Sequence, residues 1–292
     1  MPTIDGVSTS GDGWTTCGLG HRHWGRFGAA GLLLRSAPGA EGAVGLQLRV
    51  GWSHHGGTWG VLGGARNAGE TPVQAALREA GEEGSVDPHQ VHLEATYLDD
   101  HGGWSYTTVI GATDGEIALA PRGTESVAVR WVPANQVGSL SLHPGFARSW
   151  PLLRAVPASP VLVVDAANVI GSRPDGWWRD RPGAVARLRD QLAARSDGWP
   201  ATLLGADTPS GLRTFPGVVL VVAGSARDVA AVPGVEVVRA SGSGDDALVA
   251  TVAARVGEQR PVRVVTADRE LRRRVEALGA AVLGARALLD QL

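Results

Sequence analysis

The chain has 292 residues, of which 43% are hydrophobic and 19% charged, and its formal net charge is −2. At roughly 100–200 residues per domain this length accommodates two compact cores, and the composition is that of a folded rather than a disordered chain. The near balance of charge excludes an overall basic field of the kind that drives sequence-independent nucleic-acid binding.

The opening MPTIDGVSTSGDGW has neither a basic start nor an apolar run, so no signal peptide is expected. Cys17, the only cysteine, excludes an intramolecular disulfide and fits a reducing cytoplasm. With His21 and His23 it has part of the makeup of a zinc site, but no fourth partner stands at finger spacing. Residues 28–35 (GAAGLLLR) and 45–52 (GLQLRVGW) predict two strands across the turn-rich SAPGAEGA. The glycine-rich HHGGTWGVLGG leads into a helix, and strand-like runs follow at 91–98, 105–112 and 127–132. Strands before and after one long helix predict a mixed sheet with helical cover. Pro133, Pro144, Pro151, Pro157 and Pro160 are expected to break any long element and to place the domain junction near Ala158. Beyond it, runs such as VLVVDAANVI, VVLVVA and VRVVTA alternate with helical segments such as ARLRDQLAAR and DALVATVAARV. Continuous β-branched runs of this kind predict a parallel sheet covered on both faces. No apolar stretch reaches the roughly 18 residues of a spanning helix, so no membrane partner is expected and a cytoplasmic location is.

The chemistry concentrates between Gly64 and Val86. Pro72 suits a first helical turn, and Val73, Ala76, Leu77 and Ala80 recur at the spacing of a buried stripe. Glu79, Glu82 and Glu83 stand at i, i+3 and i+4, so they leave another face of the same helix together. Three converging carboxylates repel one another, and one Arg78–Glu82 pair relieves only a few tenths of a kcal/mol. A hard divalent cation relieves the repulsion better, and carboxylate oxygens suit Mg²⁺ or Mn²⁺. The alternative is a solvated acidic helix face.

The stretch GARNAGETPVQAALREAGEEGSV resembles the signature of the Nudix family, GX5EX7REUXEEXGU with U a bulky apolar residue; Gly64, Glu70, Arg78, Glu79, Glu82 and Glu83 fall on its positions. It departs at Ala80, which is small for the first U, and at Ser85, which stands where the last glycine belongs. Gly84, one residue earlier, is expected to supply the left-handed helix stop instead. Leu62 occupies a place where relatives commonly have proline. The resemblance implies that Glu79, Glu82 and Glu83 ligate metal, with Glu83 foremost, and that Glu70 and Arg78 orient loop and helix. It implies metal-assisted attack of water on a phosphorus of a nucleoside diphosphate-linked or triphosphate substrate. Glu125 is a candidate for a further ligand or base, with Asp99 and Asp100 as rivals. Gly64, Trp59 and His55 are candidates for lining the substrate pocket, His54 and the segment HGGWSYTT beside them, although core packing explains any one of these aromatic residues as well.

In the second half Asp165 follows VLVV, Asp245 and Asp246 follow SGSG, and Asp268 follows VRVVTA. Acids at several strand-to-helix junctions can meet at one sheet edge and hold a divalent metal, although capping of a helix explains any one of them. DAANVIG, GSGDDALV and VVTADREL resemble motifs of the NYN/PIN-like nuclease superfamily and its YacP-related bacterial branch. By that resemblance Asp165, Asp245, Asp246 and Asp268 are metal-site residues with Asn168 beside them. Trp177, Trp178, Arg179, Asp180 and Arg181 form an aromatic-basic cluster suited either to stacking on RNA or to packing the domains together.

The expectation is therefore an α/β protein. Residues 1–157 form a Nudix α/β/α sandwich with a mixed sheet, and residues 158–292 a Rossmann-like PIN/NYN domain with a mainly parallel sheet. The expected cofactor is Mg²⁺ or Mn²⁺, and the expected partners are a nucleotide or nucleotide derivative and, for the second half, RNA to be cleaved. The alternative is a Nudix hydrolase or nucleotide sensor regulated by a noncatalytic RNA- or nucleotide-binding C-terminal module. The sequence marks no oligomeric state.

Overall fold

The computed structural model describes residues 9–39, 41–204, 210–257 and 260–292. Residues 1–8, which open the segment expected to lack a signal peptide, lie outside the described residues. The chain divides into two compact units, residues 1–157 with 209–213, and residues 158–208 with 214–292. No described helix is long and apolar enough to cross a membrane.

The first unit begins with a hairpin of β1 (Trp14–Thr16) and β2 (Arg22–Trp24). Its sheet comprises β3 (Ala29–Arg35), β4 (Ala43–Arg49), β5 (Trp59–Gly60), β6 (Leu62–Ala65), β7 (His92–Asp100), β8 (Ser105–Ala112) and β9 (Ser126–Pro133). The order is β7-β8-β3-β4-β5, with β6 also pairing β3 and β9 pairing β4. Only β3 and β8 run parallel among these pairs, so the sheet is mixed. Every residue of β3 is buried, as expected for a central strand with neighbours on both edges. Helix α1 (Pro72–Gly84) lies on this sheet, its Ala75, Ala76 and Ala80 meeting Leu32, Leu34, Leu62 and Val109. Small alanines on the inner stripe bring the helix close to the strands.

The glycine-rich run before α1 contains strand β6. Gly63 permits it: a Cβ there would sit 2.4 Å from the Ala30 carbonyl oxygen. The proline-rich stretch was expected to break any long element, yet it contains the 12-residue helix α2 (Pro144–Ala155). Pro144 occupies the first turn, where its missing N–H costs nothing, and only Pro151 removes an internal bond. Burial of Phe146, Trp150 and Leu153 offsets that loss. Arg35 ties α2 to the sheet by donating to Leu153 O (2.8 Å), while its other nitrogen pairs with buried Glu94 (3.0 Å).

The second unit contains β10 (Val161–Asp165), α3 (Ala166–Gly171), α4 (Arg181–Ala193), the short β11 (Trp199–Pro200) and β12 (Leu212–Thr214), and β13 (Gly217–Val222). Of β12 only Thr214 belongs to this unit, Leu212 and Arg213 being part of the first. There follow β14 (Val235–Arg239), α5 (Gly244–Val256), β15 (Val262–Val265), α6 (Arg269–Glu276), β16 (Ala281–Leu283) and α7 (Ala285–Leu289). Its main sheet has the order β14-β13-β10-β15-β16, and every pair in it is parallel. Strand alternation divides β10 between two cores. Leu162 and Val164 join Val185, Leu188 and Leu288 on one face, while Val161 and Val163 join Leu248, Val252 and Leu271 on the other. The strand order reverses at β10, so its carboxyl end opens at a topological switch point, the usual ligand crevice of open α/β sheets.

Candidate active site

Helix α1 starts with a capping box in which the Thr71 hydroxyl accepts from Gln74 N–H and the Gln74 side chain accepts from Thr71 N–H (2.9 Å). It ends at Ser85, whose φ of 60° and ψ of 28° are left-handed. Gly84, expected to make that stop, is instead the last helical residue. Its role is close approach, since a Cβ there would lie 2.6 Å from a methyl of Leu62. Ser85 adopts the strained conformation itself, and its hydroxyl donates to Ala120 O (3.2 Å).

One arginine organises the signature residues. Arg78 Nε donates to Glu70 Oε1 (2.8 Å) and its Nη2 to Glu70 Oε2 (3.1 Å), a bidentate pair, and Nη2 also reaches Ala65 O (3.0 Å). Its remaining Nη1 bridges Glu79 Oε1 (2.9 Å) and Glu82 Oε2 (3.1 Å). Glu70 also accepts from Asn67 N–H (2.9 Å), which folds the loop back on itself. The Arg78 bonds hold the Glu70 carboxyl below the usual range. Gly64 is required where it stands, because a Cβ would sit 2.6 Å from a carboxylate oxygen of Glu79.

Glu83 faces inward and is 7% exposed. Its Oε2 accepts from Gly63 N–H (2.8 Å) and from Gln47 Nε2 (2.8 Å). Gln47, fully buried in β4, also donates to Val61 O (3.1 Å), and its carbonyl accepts from the Ser126 hydroxyl. Burial pushes the Glu83 carboxyl up to about 7; the Gly63 bond opposes this, Glu79 adds to it, Arg49 opposes it and Glu125 adds to it. Glu79 is likewise raised, by burial first and, against the pull of Arg78, by Glu82 and Glu125. Glu82 is the exposed member.

Glu125, exposed just before β9, thus lies within electrostatic reach of both Glu79 and Glu83. Its rivals are engaged elsewhere: Asp99 pairs with His101 (3.3 Å), and Asp100 accepts from Gly102 N–H (2.9 Å) in the turn between β7 and β8. Two residues near Glu83 were not singled out in the sequence, Gln47 and Arg49. A glutamine inside the apolar GLQLRV was the available signal.

Trp59 is half-buried, and the Arg130 guanidinium lies 4.7 Å from its ring centroid, which covers one face. His55 is exposed with a left-handed φ of 56°. It joins His54 (ring centroids 4.0 Å apart) and His143 (4.8 Å). Burial, then His55 and Arg49, push His143 down to about 4. It is therefore neutral near pH 7, and its Nδ1 accepts from Gly145 N–H (3.2 Å) at the start of α2.

At the carboxyl edge of the parallel sheet, Asp165 accepts from Asn168 N–H (3.1 Å) and from the Thr266 hydroxyl (3.1 Å). Burial raises its carboxyl; those two bonds oppose the rise, and Asp245 and Asp268 add to it, so these three acids share one field. Asp268 also caps α6 through Leu271 N–H (2.8 Å). Asp246, expected with them, is bound to Arg274 (2.6 Å), because the next position on α5 points toward α6. Asn168, expected to face substrate, uses its side-chain oxygen to accept from Ala267 N–H (2.7 Å), joining two strand-to-helix junctions. Of the aromatic-basic cluster, Trp177 packs on its own unit's core beside Arg181, and Trp178 is 60% exposed.

The family model of the NUDIX domain matches residues 26–156, and the chain belongs to the Nudix family, with its N-terminal half a Nudix pyrophosphohydrolase acting on nucleotide substrates. A putative 8-oxo-dGTP diphosphatase 3 of Mycobacterium tuberculosis is 48% identical over 161 residues, which are 52% of this chain and 73% of that protein. The crystal structure of the M. smegmatis Nudix hydrolase RenU is 47% identical, covering 49% of this chain and 93% of that one with a TM-score of 0.45. Rae1 (YacP) from Bacillus subtilis is 19% identical over 45% of this chain and 73% of its own, with a TM-score of 0.32, a likeness too weak to assign either unit.

Proposed function

We propose that the first unit hydrolyses a nucleoside triphosphate, ordinary or 8-oxidised at the base, to the monophosphate and pyrophosphate with Mg²⁺ or Mn²⁺. The observation that carries this reading is the carboxylate cluster of Glu79, Glu82, Glu83 and Glu125, only partly balanced by the Arg78 pairs to Glu79 and Glu82, in which Glu79 and Glu83 are pushed upward. Such a donor set, all oxygen and electron-rich, fits a hard divalent ion completed by phosphate oxygens. Glu79, Glu82 and Glu83 would hold that ion, which neutralises charge on the phosphates. Glu70 and Arg78 fix the loop and helix against each other. Glu125, exposed beside the cluster, takes the proton of the attacking water as its oxygen bonds to phosphorus and the phosphoanhydride P–O bond breaks. Arg49 supplies positive charge on the same side. The substrate class follows the M. tuberculosis relative, and the test is product analysis on 8-oxo-dGTP and dGTP with wild type and Glu83→Gln; unchanged turnover in the variant overturns the assignment of roles.

For the second unit, Asp165, Asp245 and Asp268 at the switch point support a NYN/PIN-like, metal-dependent ribonuclease reading. The full-length Glu83→Gln protein would then cleave single-stranded RNA with Mn²⁺, and the added Asp165→Asn change would stop it. RNA binding without cleavage in either protein would favour the noncatalytic module.

A further inference from the structure

A second group of potential ligands lies apart from the carboxylates. In the β1–β2 hairpin Thr15 pairs with His23 and Thr16 with Arg22, and Cys17 N–H donates to His21 O (3.0 Å) across the turn. Side chains alternate along strands, so this register sets Cys17, His21 and His23 on one face. The turn between β7 and β8 meets that face: Gly18 N–H donates to Gly102 O, and His101 arrives beside His23 with ring centroids 4.7 Å apart. The result is one sulfur and three imidazoles whose ligand atoms all lie within 4.8 Å of one another.

We propose that Cys17, His21, His23 and His101 form a zinc site that clamps the N-terminal hairpin to the β7–β8 turn.

Among the described residues, two polar atoms inside the cluster have no hydrogen-bond partner, His23 Nε2 and His101 Nδ1. Buried ring nitrogens are costly to leave unsatisfied, and a metal would satisfy both. The other nitrogen of His101 faces Asp99 Oδ2 (3.3 Å), which fixes its tautomer with Nδ1 free to ligate, the carboxylate–histidine–metal arrangement. His23 is held in place by stacking on Trp104 (3.9 Å, 9° between planes), whose indole N–H donates to Gly25 O (2.9 Å). In a tetrahedral site with Zn–S of ~2.3 Å and Zn–N of ~2.0–2.1 Å, ligand atoms stand roughly 3.5 Å apart, so closure asks for side-chain adjustments of about an ångström. Thiolate and imidazole select zinc over the Mg²⁺ that suits the carboxylates. His101 lies 78 positions beyond His23 in the chain, which is why no finger spacing shows the set.

The clamp bears on the signature loop. The chain just before the hairpin runs along it, with Ala68 N–H donating to Thr9 O (2.9 Å) and Gly11 N–H to Asn67 Oδ1 (3.1 Å). Anchoring the hairpin therefore braces the loop that carries Glu70.

The test is metal content of the full-length protein purified without chelators, by mass spectrometry, on wild type, Glu83→Gln, Cys17→Ser and Asp99→Asn. About one zinc per chain is expected in wild type and in Glu83→Gln, and a small fraction of that in Cys17→Ser. Asp99→Asn, which removes no ligand, should weaken zinc binding about 10–100-fold. Replacing zinc by Co²⁺ should give the intense visible bands of a tetrahedral ion and a thiolate charge-transfer band absent from Cys17→Ser; these spectra do not depend on activity, and circular dichroism checks that the variant is folded. Wild type that retains no zinc and shows only weak octahedral Co²⁺ bands overturns the proposal. So does zinc lost in Glu83→Gln and kept in Cys17→Ser, which would put the ion among the carboxylates.

Discussion

Replacing Glu83 with glutamine separates the cost of its charge from its use. The folded protein raises this carboxyl from 4.5 to about 7, chiefly by burial. Between those values the native state holds a proton that the unfolded chain has released, so stability falls as pH rises through the window, and the full cost is present above about pH 7. The shift converts to at most about 3 kcal/mol, with roughly 1–3 kcal/mol a realistic range once relaxation is allowed for. Glutamine can still present an oxygen to Gly63 N–H and Gln47 Nε2 but carries no charge. Metal-stripped Glu83→Gln should therefore be more stable than metal-stripped wild type by about 1–3 kcal/mol near pH 8.5, and about equal to it near pH 5. Adding Mg²⁺ should reverse the order by stabilising wild type alone. Turnover should fall by at least about 100-fold. Urea unfolding at the two pH values, with and without Mg²⁺, reads all of this. An offset of the same size at both pH values, or equal stabilisation of both proteins by Mg²⁺, would refute the reasoning.

Other positions give sharp expectations. Ser85→Gly relieves a left-handed serine at the end of α1 and should raise stability by up to about 1 kcal/mol, seen as a melting temperature higher by a few degrees with activity retained. Glu94→Ala leaves the buried Arg35 charge without its carboxylate and should cost about 3–5 kcal/mol in urea unfolding. Gly64→Ala drives a methyl against the Glu79 carboxylate and should lower kcat more than it lowers the melting temperature, as steady-state kinetics and thermal unfolding would show together.

Periodicity exposed the elements whose pattern is local. The alternating and continuous apolar runs correspond to β3, β7, β8 and β9, and the stripe of Ala76 and Ala80 to the inner face of α1. Fixed spacing also brought Glu70, Arg78, Glu79 and Glu82 into one network. What escaped depends on partners distant in sequence. Gln47 reads as a misplaced polar residue until β4 is set beside β6 and α1, when it becomes a donor to Glu83. His101 has no meaning for Cys17 until two turns touch. Pro151 reads as a breaker, and only the burial of Trp150 and Leu153 shows why the helix continues through it. Asp245 and Asp246 are adjacent in sequence yet diverge, because neighbouring positions on a helix point about 100° apart.

The most direct test of the central claim is the phosphorus product spectrum of 8-oxo-dGTP and dGTP incubated with the full-length protein and Mg²⁺. Wild type should convert at least one of them to the nucleoside monophosphate and pyrophosphate, and both Glu83→Gln and removal of the divalent ion should abolish the reaction. Release of inorganic phosphate alone, or pyrophosphate release undiminished in Glu83→Gln, would contradict the account.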